Sequence, residues 1–284
     1  MIASGTLFVA FQGAGIKLLD GSLGWEQIVF LRSLILAAFL APIVVFRRAV
    51  STSRPLLHAS RGIIGIAAMS CMVYALLEAP LADVTAISFS RALFVVILAI
   101  FILRETVGWR RWSAVIVGFV GVVLMLRPGE DGISVALLFA VGGAFLGAWV
   151  VMILKALSTT ESAETIVFWF GISGIVLMAV PAGLNWQWPT AWEWLLLLAL
   201  SAAGSLAQYF LVRGWSLGEA SALAPVAYAQ LVWATILGIV LFDELPDEWT
   251  IGGAVIIVVS TLYIAIRENR RKIRQASGGG DPAI

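Results

Sequence analysis

One stretch, Asp83–Leu103 (DVTAISFSRALFVVILAIFIL), limits what this chain can fold into more than any other. About 20 apolar residues at about 1.5 Å each reach across the hydrocarbon core of a bilayer, so the stretch is long enough to cross one as a helix. Arg91 stands close to its middle. A guanidinium at that depth costs roughly 2.5–3.5 kcal/mol on insertion scales, which turns it toward a partner or a cavity and away from lipid. A fainter copy follows at Ala220–Phe242, where Gln230 takes the place of Arg91. The copies end on matching acidic residues, Glu105 and Glu244.

Composition extends this to the whole chain. Hydrophobic residues make up 61% and charged residues 12%, with a mean hydropathy of +1.00, far from the roughly 45–50% and 25% of soluble domains. The chain is therefore expected to be an integral membrane protein. Its single cysteine, Cys71, excludes an internal disulfide and a cysteine-based metal site. Its single histidine, His58, falls in a basic stretch read as a loop. Ile2–Leu19 lacks the charged start and small-residue cleavage site of a signal peptide and is read as a first span.

Ten helices are predicted: Ile2–Leu19, Glu26–Phe46, Gly62–Leu77, Asp83–Leu103, Arg110–Leu126, Ile133–Leu157, Glu164–Leu184, Trp192–Val212, Ala220–Phe242 and Asp247–Ile266. The positive-inside rule orients them. With a cytoplasmic N-terminus, the inside loops and the tail hold fourteen Lys and Arg residues, and the outside loops hold only Arg127. Both termini are then cytoplasmic.

Matching Glu105 to Glu244 sets Arg110–Leu126 beside Asp247–Ile266 and divides the chain into 1–129, 130–266 and a basic tail, 267–284, read as disordered. Each half has five spans, an odd number, so the second lies upside down relative to the first. The fold class expected is all-α, with ten transmembrane helices in two inverted five-helix repeats. Inverted repeats place a ligand site at their interface near the midplane.

The run Tyr74–Ala86 (YALLEAPLADVTA) resembles the third-to-fourth helix connection of the drug/metabolite transporter superfamily, EamA type. Arg104–Trp112, then Gly118–Leu124, is similar to the same family, as are Ala224–Tyr228, the Phe242-Asp243-Glu244 ending and Phe30–Ser33. The resemblance covers essentially the whole chain. It implies a ten-helix carrier of a small metabolite in a bacterial inner membrane, working by alternating access. The cargo expected is anionic or zwitterionic: an amino acid, or a compound like S-adenosylmethionine or riboflavin. A broad-specificity exporter is the alternative, with a non-transporting sensor and an intramembrane lipid enzyme as more distant readings. No enzyme motif, P-loop, HExxH or GxSxG, is present. No cofactor and no nucleic-acid partner are expected. The partners expected are the small-molecule substrate and the lipid bilayer, with the chain a monomer or a homodimer.

Candidate cargo contacts are the polar and aromatic residues inside spans. Arg91 comes first, with the nearest acid on its helix eight residues away at Asp83. Either it receives a carboxylate or phosphate in the cavity, or it donates to backbone carbonyls and holds helices together. Arg32 either joins it or snorkels to the interface. Gln12, Tyr74, Trp149, Gln208, Tyr228, Gln230 and Trp233 supply amides that need partners and rings that stack on a flat metabolite or pack in the bundle. Trp186, Trp188, Trp192 and Trp194 read as an interfacial belt. Gly143 and Gly147 form a GxxxG pair suited to close helix packing. No carboxylate stands at mid-membrane, which disfavours a pump for lipophilic cations.

Overall fold

Long apolar runs leave a backbone away from water one local solution, to satisfy its N–H and C=O groups within each segment. A computed structural model describes residues 2–46, 52–103, 109–127, 134–217 and 229–276, and within them the chain forms helices and no strand. These are α1 Ile2–Lys17, α2 Trp25–Phe46, α3 Pro55–Glu78, α4 Leu81–Ser88, α5 Arg91–Leu103, α6 Trp109–Leu126, α7 Val135–Leu157, α8 Ala163–Leu184, α9 Ala191–Leu217, α10 Ala229–Phe242 and α11 Glu248–Ala276. Helices α4 and α5 share one crossing, Leu81–Phe101. With that pair counted once, the described segments form ten helical units, five in each half, six of them long and apolar enough to cross a membrane; each unit is called a crossing below.

The halves pack reciprocally. Helix α1 lies on α9 and α3 on α7, while α2 meets α8, α4 meets α10 and α6 meets α11. The first crossing of each half therefore meets the third of the other, and the remaining crossings meet their own counterparts. That is the contact pattern of a pseudo-twofold axis. Pro42 inside α2 and Pro181 inside α8 are separated by the same offset as Glu105 and Glu244. Where α6 meets α11 the backbones touch: a methyl on Gly121 would lie 2.8 Å from the Gly253 carbonyl oxygen, and one on Gly253 would lie 2.7 Å from that of Gly121. Only glycines permit this approach.

Three local features differ from expectation. Helix α3 starts at Pro55 instead of Gly62, because proline is well suited to a first turn, where its missing N–H costs nothing. His58 is consequently a helical residue, 3% exposed, and not part of a loop. Helix α11 runs past Ile266 to Ala276, so helix enters the stretch expected to be a disordered tail.

The third difference is a break at Phe89 and Ser90. The N–H groups of Phe89, Ser90 and Leu93 reach back three residues, to Ala86, Ile87 and Ser90, at 3.1, 2.9 and 2.9 Å. Ser88 Oγ donates to the Thr85 carbonyl at 2.7 Å. Hydroxyls that compete for backbone acceptors, together with tightened winding, mark the seam between the half-helices.

Candidate functional site

A cavity of about 210 Å³ opens among α1, α2, α3 and α4, with Gln230 of α10 closing it from the second half. Its walls are aliphatic except at a few places. Gln12, Arg32 and Gln230 bring two amides and a guanidinium, Thr85 and Ser88 bring hydroxyls, and Met69 and Met72 bring thioethers. No Asp or Glu belongs to the described lining. Among the described residues, no carboxylate forms an ion pair with Arg32. The amide of Gln12 donates to the Leu200 carbonyl of α9 at 3.4 Å, so it bridges the halves while facing the cavity.

The other candidates are distributed differently. Arg91 begins α5 just beyond the break and is not among the lining residues; its aliphatic stem lies against Gly147 of α7 and its side chain is exposed. Tyr74 is half-buried, its ring centroid 4.7 Å from that of Phe139, in a contact between α3 and α7. Trp149 is half-buried on α7. Trp233 is half-buried on α10, and its indole nitrogen finds no hydrogen-bond partner among the described residues. Gln208 lies on α9 with its side chain outside the described set, and Tyr228 lies outside the described residues altogether. Of the four belt tryptophans, Trp188 and Trp192 are exposed, whereas Trp186 and Trp194 pack against the core.

Sequence reasoning passed over Thr85, Ser88, Met69 and Met72. On helices that are apolar all round, nothing in the pattern separates a cavity face from a lipid face.

Ile16 and Leu81 line the cavity at the end where α1 stops and α4 starts, and a cross-half clasp closes over them. Lys17 pairs with Glu244 and also donates to the Ala79 carbonyl at 2.6 Å. The other Glu244 oxygen accepts the Leu81 N–H at 2.9 Å. Beside it, Arg127 binds Asp247 at 2.7 Å and lies 3.5 Å from Asp83. Thr250 donates its hydroxyl to Asp83 at 2.6 Å. Lys17, Asp83 and Arg127 belong to the first half; Glu244, Asp247 and Thr250 belong to the second. At the opposite end, among the described residues, Glu161, between α7 and α8, accepts from the Thr52 and Ser53 hydroxyls at 2.8 and 3.2 Å, and Arg54 donates to the Ala156 carbonyl at 3.2 Å.

Two spans of the chain, residues 1–127 and 133–266, match the EamA-like transporter family. The chain belongs to that family. It is 37% identical over 247 residues to an S-adenosylmethionine uptake transporter of Rickettsia bellii, covering 86% of this chain and 84% of the relative. It is 32% identical to a riboflavin transporter of Vibrio cholerae, over 61% of this chain and 58% of that one. A pseudopaline exporter of Pseudomonas aeruginosa is 29% identical over 93% and 94% of the two chains. A solved crystal structure shares the fold with a TM-score of 0.64 at 20% identity, over 93% of this chain and 96% of its own. This EamA-like protein is thus a multi-pass membrane transporter of a small metabolite and not an enzyme, and the reciprocal packing described above is the two-repeat arrangement of its family.

Proposed function

We propose that this transporter carries a metabolite with a zwitterionic amino-acid end, of the S-adenosylmethionine type, by alternating access through the cavity. The observation that carries this reading is that Arg32 shares with Gln12 and Gln230 a lining that holds no carboxylate among its described residues. A guanidinium receives a carboxylate through two parallel hydrogen bonds, and the amides of the same lining serve the cargo's other polar groups. Relatives that are 34–37% identical and named as S-adenosylmethionine uptake transporters favour this cargo. A cavity of about 210 Å³ takes the amino-acid end of such a molecule, and the remainder enters as the halves part.

Arg91 is assigned to the same path, one helical turn beyond Ser88, with Gln208, Tyr228, Trp149, Trp233 and Tyr74 as further contacts when the wall moves. The domain boundary is assigned near residue 129, between α6 and α7. Both termini face the cytoplasm of a bacterial inner membrane, and the chain works as a monomer or a homodimer. Export of varied compounds is the second reading. Met69 and Met72 favour it, because flexible thioethers remould to different shapes.

The test is uptake of labelled S-adenosylmethionine into proteoliposomes, challenged with methionine, riboflavin and lysine. Saturable uptake that methionine inhibits, that Arg32→Ala abolishes and that Arg32→Lys partly restores supports the assignment. Loss in Arg91→Ala with Arg32→Ala unaffected moves the carboxylate contact to Arg91. Absence of saturable flux sinks the cargo assignment.

A further inference from the structure

Side chains that shape the cavity rest on bare glycine backbone of the opposite half. The amide of Gln12 lies directly over Gly204 of α9: a methyl there would collide with the amide nitrogen and lie 3.0 Å from the amide carbon. On the related helix pair, Met72 lies over Gly143 of α7, where a methyl would meet Cγ and Sδ at 2.9 Å. Gln12 and Met72 both line the cavity; neither glycine does. Helix pairs α1·α9 and α3·α7 are counterparts under the pseudo-twofold, and in both the side chain comes from the first half and the glycine from the second.

From this we infer that Gly204 and Gly143 are specificity-determining positions, setting how far Gln12 and Met72 reach into the cavity and hence the bulk of cargo it admits. The inference rests on the proposed role of that cavity. Each glycine acts through the side chain it seats and does not itself touch cargo. A methyl at Gly204 displaces the Gln12 amide from α9, and the cavity that Gln12 lines is the space it enters. A methyl at Gly143 displaces Met72 in the same way and also meets the Ala68 carbonyl oxygen at 3.3 Å. Interior packing tolerates no overlap of that size without displacement. Reading Gly143 only as half of a GxxxG packing pair misses this, because the motif says nothing of what lies on the glycine.

The experiment measures cavity bulk without needing the cargo. In a Cys71→Ser background, Ser88→Cys places a thiol on the cavity wall, and its labelling is timed with thiosulfonates of graded size. Gly204→Ala and Gly143→Ala are each expected to slow the largest reagent by about tenfold while changing the smallest by less than about threefold. Adding Gln12→Ala to the first, or Met72→Ala to the second, should restore the rate. In the same variants the wild-type ratio of S-adenosylmethionine to methionine affinity should fall and recover in parallel. Equal slowing of all reagents, or no recovery in the double variants, overturns the inference and leaves the glycines as packing residues. If the wild type binds neither compound, the cargo assignment fails, and the reagent series still decides the role of the glycines.

Discussion

Lys17 and Glu244 form an ion pair that joins the end of α1 in the first half to the segment after α10 in the second. Glu244 also accepts the first N–H of α4, so one carboxylate holds two elements of the other half over the cavity. If this clasp is the gate at that end, removing its charge should open it. In a Cys71→Ser background, Glu244→Gln is expected to raise the labelling rate of a thiol at Ile16→Cys by about tenfold, equal to roughly 1.4 kcal/mol of clasp stability. Exchanging the charges, Lys17→Glu with Glu244→Lys, should return much of the slow rate. An unchanged rate in Glu244→Gln would remove the gate role.

Asp83 is 3% exposed and takes the Thr250 hydroxyl at 2.6 Å. Thr250→Val keeps the shape and deletes the donor. A buried acceptor left without its partner costs about 1–3 kcal/mol. The variant should lose thermal stability by that order in detergent, and Thr250→Ser should lose much less.

Asp243 closes α10 in the left-handed region, with φ of 56°. The Asp243 N–H reaches back to the Ile239 carbonyl at 3.2 Å, the closing bond of an αL cap, and the Glu244 N–H reaches the Gly238 carbonyl at 3.0 Å. A side chain in that conformation costs about 1–2 kcal/mol relative to glycine. Asp243→Gly should therefore raise the unfolding midpoint without slowing uptake. Asp243→Val, a branched residue in the same place, should lower it.

Glu161 is held below the usual carboxylate range, chiefly by the Thr52 hydroxyl; burial works against this, and bonds from the Ser53 backbone and hydroxyl and the nearby His58 add to it. A depressed pKa means that folding favours the ionised form. Its contribution is present above the unfolded value of 4.5 and is lost as pH falls through the folded value below it. Protease cleavage of the connection between α2 and α3 should therefore accelerate below pH 4.5 in the wild type. In Glu161→Gln it should be fast already at neutral pH and change little with acid.

Arg91 meets no carboxylate in an ion pair among the described residues, and its stem lies on Gly147. Arg91→Ala should fold with unchanged or higher stability, since it removes a charge from a costly position. A loss of more than about 2 kcal/mol would show that the guanidinium holds the bundle together.

The crossings were legible because polar backbone in lipid has so few solutions, and an apolar run of bilayer length commits to one of them. Gln12, Arg32 and Gln230 stood out as candidates for a related reason: in such a run, each polar group is an exception that needs an answer. Met72 was not, because a thioether suits lipid, core and cavity equally well. The break at Phe89 and Ser90 carries no proline or glycine, and its cause, serine and threonine hydroxyls beside the backbone, is too common to single out. His58 was misplaced because Arg54 and Arg61 made its surroundings look like a loop, whereas Pro55 in fact starts a helix there. The clasp escaped because it joins residues more than a hundred positions apart, such as Asp83 and Thr250, which only the pairing of the two halves brings together.

The guanidinium of the cavity also has an electrical consequence. With no acidic neighbour among the described lining residues to cancel it, Arg32 gives the empty protein a positive charge on α2, which the carboxylate of the proposed cargo would neutralise. A charge moved across the full membrane potential exchanges about 2.3 kcal/mol per 100 mV. To whatever extent Arg32 shifts in that field as the halves rock, voltage acts on the empty protein and not on one carrying a singly charged anion. For a singly charged anionic cargo the step on which voltage acts is then the return of the empty protein, whereas a cargo with a further cationic centre, such as a sulfonium, makes the loaded step voltage-sensitive as well.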